Sequence, residues 1–125
     1  MRQIDGYEIN ILQRTKKFGV QIIKISSELP KNPAGFTIAD QLVRAGTSIG
    51  ANLIEAQEAS SKKDFLYKIN ISLKEAKETI YWLNLTSESN LLNSEKISPA
   101  LREGEEIVRI LIAILRKLKT KSLSN

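Results

Sequence analysis

Between residues 41 and 85, polar and apolar residues form two parallel lines at helical spacing, and this pattern constrains the fold more than any other feature. The apolar line is formed by Leu42, Ala45, Ile49, Leu53 and Ala56. The polar line is formed by Gln41, Arg44, Ser48, Asn52 and Glu55. Both lines advance by three or four residues, which is the spacing of side chains on one face of an α-helix. The stretch therefore begins with an amphipathic helix whose polar edge borders its buried face.

Three further segments carry apolar residues at the same spacing, so the chain is predicted to be all-α, an antiparallel up-down-up-down four-helix bundle. The helices are expected at about 5–29, 37–59, 62–86 and 95–119. A chain of 125 residues forms one domain of ordinary size, which here would cover residues 1–125. The tail at 120–125 is expected to be disordered.

Proline, glycine and serine mark the predicted helix boundaries. Pro30 and Pro33 end the first helix, because proline lacks the amide proton that a helix interior requires. Ser61 is the expected N-cap of the third helix. The fourth helix is expected to begin at Ser94 or at Ser98.

The amino-acid inventory excludes several kinds of site. The chain has no cysteine and no histidine, which rules out disulfides, thiol nucleophiles, Cys/His zinc sites and a Ser-His-Asp triad. We therefore expect no enzyme activity, no metal and no cofactor. The N-terminus shows no signal-peptide core, and the longest apolar run, 107–115, is short and interrupted by Arg109. These features predict a cytoplasmic protein without a membrane partner.

Two consecutive motifs, RAGTSIGANLIEA and SKKDFLYKINISLKEAKETIYWL, carry a resemblance that covers residues 9–118 approximately. The chain resembles the bacterial four-helix bundle family often called intervening-sequence proteins, because some members are encoded inside the 23S ribosomal RNA gene. It is also similar to the accessory protein of diversity-generating reverse transcriptases. The resemblance implies a ring-shaped homopentamer. In many relatives a proline stands where this chain has Gly50.

The fourth helix carries apolar residues around nearly its whole circumference between residues 107 and 115. A surface helix of a monomeric bundle needs a narrower apolar arc, so the excess predicts a second buried face. The candidate oligomer interface consists of Ile107, Ile110, Leu111 and Ile114. The alternative is a broad core contact within one chain.

The polar line of the second helix is expected to meet the third helix in a buried seam. Consecutive antiparallel helices bring together residues whose numbers here sum to about 120. This arithmetic pairs Arg44 with Glu75 or Glu78, Ser48 with Ser72, and Asn52 with Lys68. The predicted structural seam comprises Gln41, Arg44, Ser48, Asn52, Glu55, Lys68, Ser72, Glu75 and Glu78. An active site with Glu55 as base and Arg44 as anion ligand is the alternative, although no nucleophile accompanies these residues.

Basic residues concentrate at one predicted end of the bundle. The end with the start of the first helix and the end of the fourth holds 11 basic and 5 acidic residues, whereas the other end holds 8 and 9. The candidate nucleic-acid-binding residues are Arg14, Lys16, Lys17, Lys62, Lys63, Arg116, Lys117, Lys119 and Lys121. Such a surface attracts phosphates without reading bases. The alternative is an ordinary solvated helix terminus.

Four aromatic residues could serve as stacking platforms for bases: Phe65, Tyr67, Tyr81 and Trp82. We interpret them as core or interface residues, because they lie among apolar residues at helical spacing. The predicted function is a non-enzymatic homo-oligomer, most simply a pentamer, that binds RNA or DNA through its basic end. The alternative is a protein scaffold for a nucleic-acid enzyme such as a reverse transcriptase, without nucleic-acid contact of its own.

Overall fold

The computed structural model describes residues 8–124, with side chains described for residues 11–119. It contains four helices: α1 Glu8–Ser27, α2 Pro33–Gln57, α3 Lys62–Glu88 and α4 Ser94–Ser124. Helix α2 packs against α1 and α3, and α4 packs against α3 and, over a smaller area, α1. The predicted all-α four-helix bundle is therefore confirmed. In the part of the chain that the structure describes, no helix is long and apolar enough to cross a membrane.

The connection between α1 and α2 is shorter than predicted. α1 ends at Ser27, and α2 begins at Pro33 rather than near residue 37. Asn32 caps α2, since its side-chain oxygen accepts a hydrogen bond from the Gly35 amide at 2.9 Å. Pro33 then occupies the start of the helix, where its missing amide proton costs nothing. A Cβ atom on Gly35 would lie 1.8 Å from the Pro30 carbonyl oxygen, so this tight turn requires glycine.

Both ends of α3 are capped. The Ser61 side chain accepts a hydrogen bond from the Asp64 amide at 3.0 Å, which confirms the predicted N-cap of α3. After α3, Asn90 adopts a left-handed conformation with φ of 59°. The Leu91 amide then donates to the Thr86 carbonyl at 3.2 Å, which is the bonding pattern of a Schellman motif.

Helix α4 begins at Ser94, so Pro99 lies inside the helix instead of at its first position. Its backbone is helical as far as Ser124, five residues beyond the predicted end near residue 119 and through most of the tail at 120–125 that was expected to be disordered. The expected start of α1 near residue 5 lies outside the described residues, as does Asn125.

The core lies along the bundle axis and contains side chains from all four helices. From α1 it takes Ile11, Phe18, Ile22 and Ile25, the side of the helix that the sequence predicted. Close approach of α1 and α2 depends on small residues, because a Cβ on Gly46 would lie 2.8 Å from the Ile22 side chain. Gly46 and Gly50 therefore act in helix packing.

Candidate functional site

The predicted seam between α2 and α3 is built around Arg44. Its Nη1 lies 3.3 Å from Oε1 of Glu75, and its Nη2 contacts Oε2 of Glu78. Its Nε donates a long hydrogen bond of 3.4 Å to Gln41. The structure thus brings Arg44 together with both predicted partners. Nearly half of the Arg44 side chain is exposed, at 48%, so this part of the seam lies at the surface and not in the core.

Further along the seam, the partners differ from those predicted. Lys68 pairs with Glu55 at 2.8 Å, and this hydrogen bond raises the pKa of Lys68. Asn52, expected opposite Lys68, donates instead to the Ser48 carbonyl at 2.8 Å within its own helix. A short polar side chain on a helix easily reaches the carbonyl one turn earlier, which explains this local bond.

The two serines of the seam also differ, one bonding within its own helix and the other across to the neighbouring helix. Ser48 donates to the Arg44 carbonyl at 2.6 Å, again within α2. Ser72 is completely buried and donates across the helices to the Ile49 carbonyl at 2.8 Å. The predicted contact between Ser48 and Ser72 is therefore replaced by one local and one interhelical bond.

The chemistry available to the seam is that of a structural network. Arg44 pairs with both Glu75 and Glu78, and Lys68 pairs with Glu55. Among residues 8–124, no group of three or more acidic side chains lies close enough to hold a metal ion. Paired carboxylates of this kind hold two helices in register.

Arg14, a candidate phosphate ligand, is already engaged. Its Nε donates to Oε2 of Glu103 at 2.9 Å, and its Nη2 donates to Oε1 at 2.7 Å. The hydrogen bond that Arg14 donates to Glu103 raises the pKa of Arg14. We therefore remove Arg14 from the candidate nucleic-acid residues, since binding phosphate would require breaking this two-bonded ion pair.

Lys16 and Lys17 lie on the side of the bundle and not at its end. Lys16 borders the same surface groove as Gly50, which lies about two turns before the end of α2. Lys17 lies on the neighbouring surface strip of α1, together with Lys24. These lysines form a separate basic strip along α1.

The remaining candidates cluster at the end formed by the start of α3 and the end of α4. Lys63, Arg116, Lys117 and Lys119 are exposed there, and Lys62 is half-buried. The acidic residues with described side chains in the same part of the chain are Glu55, Glu58 and Asp64, and Glu55 pairs with Lys68. The side chain of Lys121, the last candidate, lies outside the described residues. We call the five described cations the basic end.

The candidate interface on α4 is occupied by the core of the same chain. Ile107 and Leu111 are fully buried and Ile114 is 2% exposed, while Ile110 is half-buried. α4 contacts both α3 and α1, so a wider apolar arc is buried than a single neighbouring helix would cover. Ile107, Leu111 and Ile114 are therefore not available to a second subunit, whereas Ile110 keeps part of its surface.

Exposed apolar surface lies instead between α1 and α2. A groove of about 420 Å³ is lined mainly by Leu12, Val20, Ile23, Gly50, Ala51 and Ile54. Three of these side chains, Val20, Ile23 and Ile54, are 46%, 48% and 56% exposed. We call this surface the α1–α2 groove. The aliphatic and small residues that line this groove could be recognised in the sequence. The oligomer interface was nevertheless predicted on α4, because that helix has the longer apolar run.

The four aromatic residues of α3 divide into two pairs. Phe65 is 2% exposed and belongs to the core, and Trp82 packs against the core from the side. Tyr67 and Tyr81 are 61% and 58% exposed, so they lie outside the core, and of the two predicted roles only that of interface residues is compatible with their exposure. The Tyr81 and Trp82 rings meet edge to face, with centroids 5.1 Å apart. The missed signal was that the two tyrosines are 14 positions apart, which places them on one face of the helix.

Comparison with known proteins gives a family and a structural relative. The family model described as 23S rRNA-intervening sequence protein matches residues 7–113. The crystal structure of a protein of unknown function of the S23 ribosomal protein family, from Bacteroides thetaiotaomicron VPI-5482, is similar, with a TM-score of 0.82. It is 36% identical, and the match covers 87% of this chain and 97% of the relative. No curated protein matches the chain.

Proposed function

Because the chain belongs to the 23S rRNA-intervening sequence protein family, we propose that it is a non-enzymatic, homo-oligomeric helical bundle that binds RNA or DNA through its basic end. The observation that carries the proposal is the surplus of exposed cations at that end. That end holds five of the candidate cations, Lys62, Lys63, Arg116, Lys117 and Lys119, against three acidic residues whose side chains are described, Glu55, Glu58 and Asp64.

Two carboxylates do little to offset this surplus of positive charge, because each is paired with another cation. The carboxylate of Glu103 is held by Arg14 on the side of the bundle, and that of Glu55 is held by Lys68. A cluster of cations that protrudes into solvent binds the phosphate backbone mainly through its charge. Such binding positions a nucleic acid without reading its sequence.

Self-association would multiply this weak site. We place the subunit contact in the α1–α2 groove, because Val20, Ile23 and Ile54 form the exposed aliphatic surface beside small residues that allow a helix to approach closely. A cyclic oligomer, with a pentamer as the expected size, would present one basic end per subunit on the same face. Several weak phosphate sites on one particle raise the overall affinity for a long nucleic acid.

The test is the binding of a fluorescent RNA by the full chain over a range of salt concentrations. Log affinity should fall with log salt, with a slope of about −0.7 for each phosphate neutralised on a single strand. Charge reversal at the basic end, through Lys62→Glu, Lys117→Glu and Lys119→Glu, should abolish binding at moderate salt. The matched control reverses Lys24, Lys31 and Arg102, three exposed cations elsewhere in the described chain, and should retain it.

Two results would overturn the proposal. One is a salt slope near zero for the unaltered protein. The other is an equal loss of affinity from both sets of charge reversals, which would show that the basic end has no special role.

A protein scaffold is the second candidate, and the α1–α2 groove favours it. An apolar groove beside the lysines of α1 also suits a helix of another protein. Phosphate binding weakens steeply with salt, whereas a mainly apolar contact does not. A partner complex that survives high salt, in the absence of RNA binding, would favour the scaffold.

A further inference from the structure

A line of seven exposed side chains runs along the outer face of α3. It consists of Lys63, Tyr67, Asn70, Lys74, Lys77, Tyr81 and Asn84. Their spacing alternates between four and three residues, which keeps them on one face of the helix over about 32 Å. We call this set the α3 line. It begins with a lysine of the basic end and contains no acidic residue before Glu88, the next position on the same face.

We propose that the α3 line binds single-stranded nucleic acid, with its two tyrosines stacking on unpaired bases and its lysines contacting phosphates. This inference rests on the proposed function and names its substrate class. The composition of the line is the argument, because single-strand sites combine aromatic platforms with a basic track.

The tyrosines are placed to act as platforms. Tyr67 and Tyr81 are more than half exposed and lie about 21 Å apart along the helix. A stacked strand rises about 3.4 Å for each nucleotide, so this distance spans roughly six nucleotides, or fewer in an extended strand. Trp82 meets the Tyr81 ring edge to face, which limits the movement of that ring.

The charges beside the line favour phosphate. The acidic residues on the neighbouring face of α3, Glu75 and Glu78, both pair with Arg44 of α2. Arg44 therefore compensates one of their two negative charges and draws both carboxylates toward α2. Lys74 and Lys77 lie between the two tyrosines and are exposed, so they can follow the backbone of a strand whose bases reach the rings.

A single strand fits this surface better than a duplex. In a duplex the base faces are covered by neighbouring bases, so the tyrosines would lose their role and only the lysines would contribute. The structure therefore predicts a preference for single strands that depends on the aromatic rings.

The test compares a single-stranded RNA of about 12 nucleotides, long enough to cover the line, with a duplex of the same length. The double variant Tyr67→Leu and Tyr81→Leu should lose roughly 5- to 150-fold in single-strand affinity for each ring, and little in duplex affinity. Tyr67→Phe with Tyr81→Phe should keep the affinity, because phenylalanine also stacks. Phe36→Leu is the matched control, since Phe36 is 59% exposed but lies at the start of α2.

The chain provides an internal reporter as well. Trp82 is its single tryptophan, and its ring centroid lies 5.1 Å from that of Tyr81. Stacking of a base on Tyr81 should change Trp82 emission in the unaltered protein, and Tyr81→Leu should remove that change. If the double leucine variant folds poorly, each single variant, Tyr67→Leu or Tyr81→Leu, should show the same selective loss of single-strand binding.

The outcomes separate the two proposals. Unchanged single-strand affinity in the leucine variants, with loss of binding on charge reversal at the basic end, overturns the α3 line and leaves the proposed function standing. A preference of the unaltered protein for duplex also overturns the α3 line. Absence of any binding at low salt overturns both.

Discussion

Arg14 of α1 and Glu103 of α4 are 89 positions apart in the sequence and form an ion pair with two hydrogen bonds, of 2.9 and 2.7 Å. This pair joins the first and last helices, whose mutual contact is the smallest among the neighbouring helices of the bundle. Each side chain retains about a third of its exposure, at 28% and 30%. The pair therefore closes the bundle at a position where apolar packing is thinnest.

Removal of this pair should lower stability without affecting nucleic-acid binding. A double-mutant cycle with Arg14→Met and Glu103→Gln should give a coupling energy of about 1 kcal/mol, the upper range for a partly exposed pair with good geometry. Thermal unfolding followed by circular dichroism measures it. A loss of RNA affinity in Arg14→Met with no change in melting temperature would return Arg14 to the phosphate ligands.

Arg44 should likewise stabilise the packing of α2 against α3. Arg44→Ala strands the carboxylates of Glu75, which is 16% exposed, and of Glu78. We expect a loss of about 1–3 kcal/mol in the free energy of unfolding, because partly buried charges lose their partner. Arg44→Lys should recover only part of it, since one ammonium cannot reproduce two directed contacts. A fully stable Arg44→Ala protein would show that the seam does not hold the helices.

Two glycine substitutions should have opposite signs. Gly35→Ala places a Cβ 1.8 Å from the Pro30 carbonyl oxygen, so the turn must shift and stability should fall by about 1–3 kcal/mol. Gly19→Ala is the control within a helix, because its nearest neighbour would be 3.8 Å away. That substitution should stabilise the protein by about 0.4–1 kcal/mol, through the lower entropy of the unfolded chain. Urea unfolding of both variants checks the pair, and equal effects would contradict the described turn.

The sequence predicted contacts between consecutive helices better than contacts between distant ones. Arg44 meets Glu75 and Glu78 as expected, because a short loop fixes the register of α2 against α3. The contact between Arg14 and Glu103 could not be predicted in this way, since the register of α1 against α4 depends on the packing of both helices between them. Assigning each charged residue to one of the two ends of the bundle placed Arg14 and Glu103 at opposite ends.

The sequence also did not determine which hydrogen-bond partner a polar side chain has, or how exposed an apolar side chain is. Asn52 bonds to its own helix instead of Lys68, and spacing alone does not distinguish these two options. The apolar surplus on α4 also suggested a wider exposed surface than the helix has, because Ile107 and Leu111 face a core shared with two neighbouring helices. By contrast, the spacing of the α3 line could be recognised in the sequence once α3 was known to have an exposed face.

The last prediction concerns the α1–α2 groove as the contact between subunits. Light scattering on a size-exclusion column should show an oligomer for the unaltered protein, and Ile23→Glu with Ile54→Glu should reduce its mass to that of a monomer. These side chains are 48% and 56% exposed, so the monomer should keep its helix content. Phe36→Glu, at a similarly exposed apolar residue outside the groove, should leave the mass unchanged.

The α4 residues provide the contrasting case. Ile114 is 2% exposed, so Ile114→Asp should unfold the chain by placing a charge in the core, and should not yield a folded monomer. A monomer mass for the unaltered protein at micromolar concentration would exclude self-association. An unchanged oligomer in the groove variant would place the contact elsewhere, because two buried glutamates at a subunit contact would be left without partners.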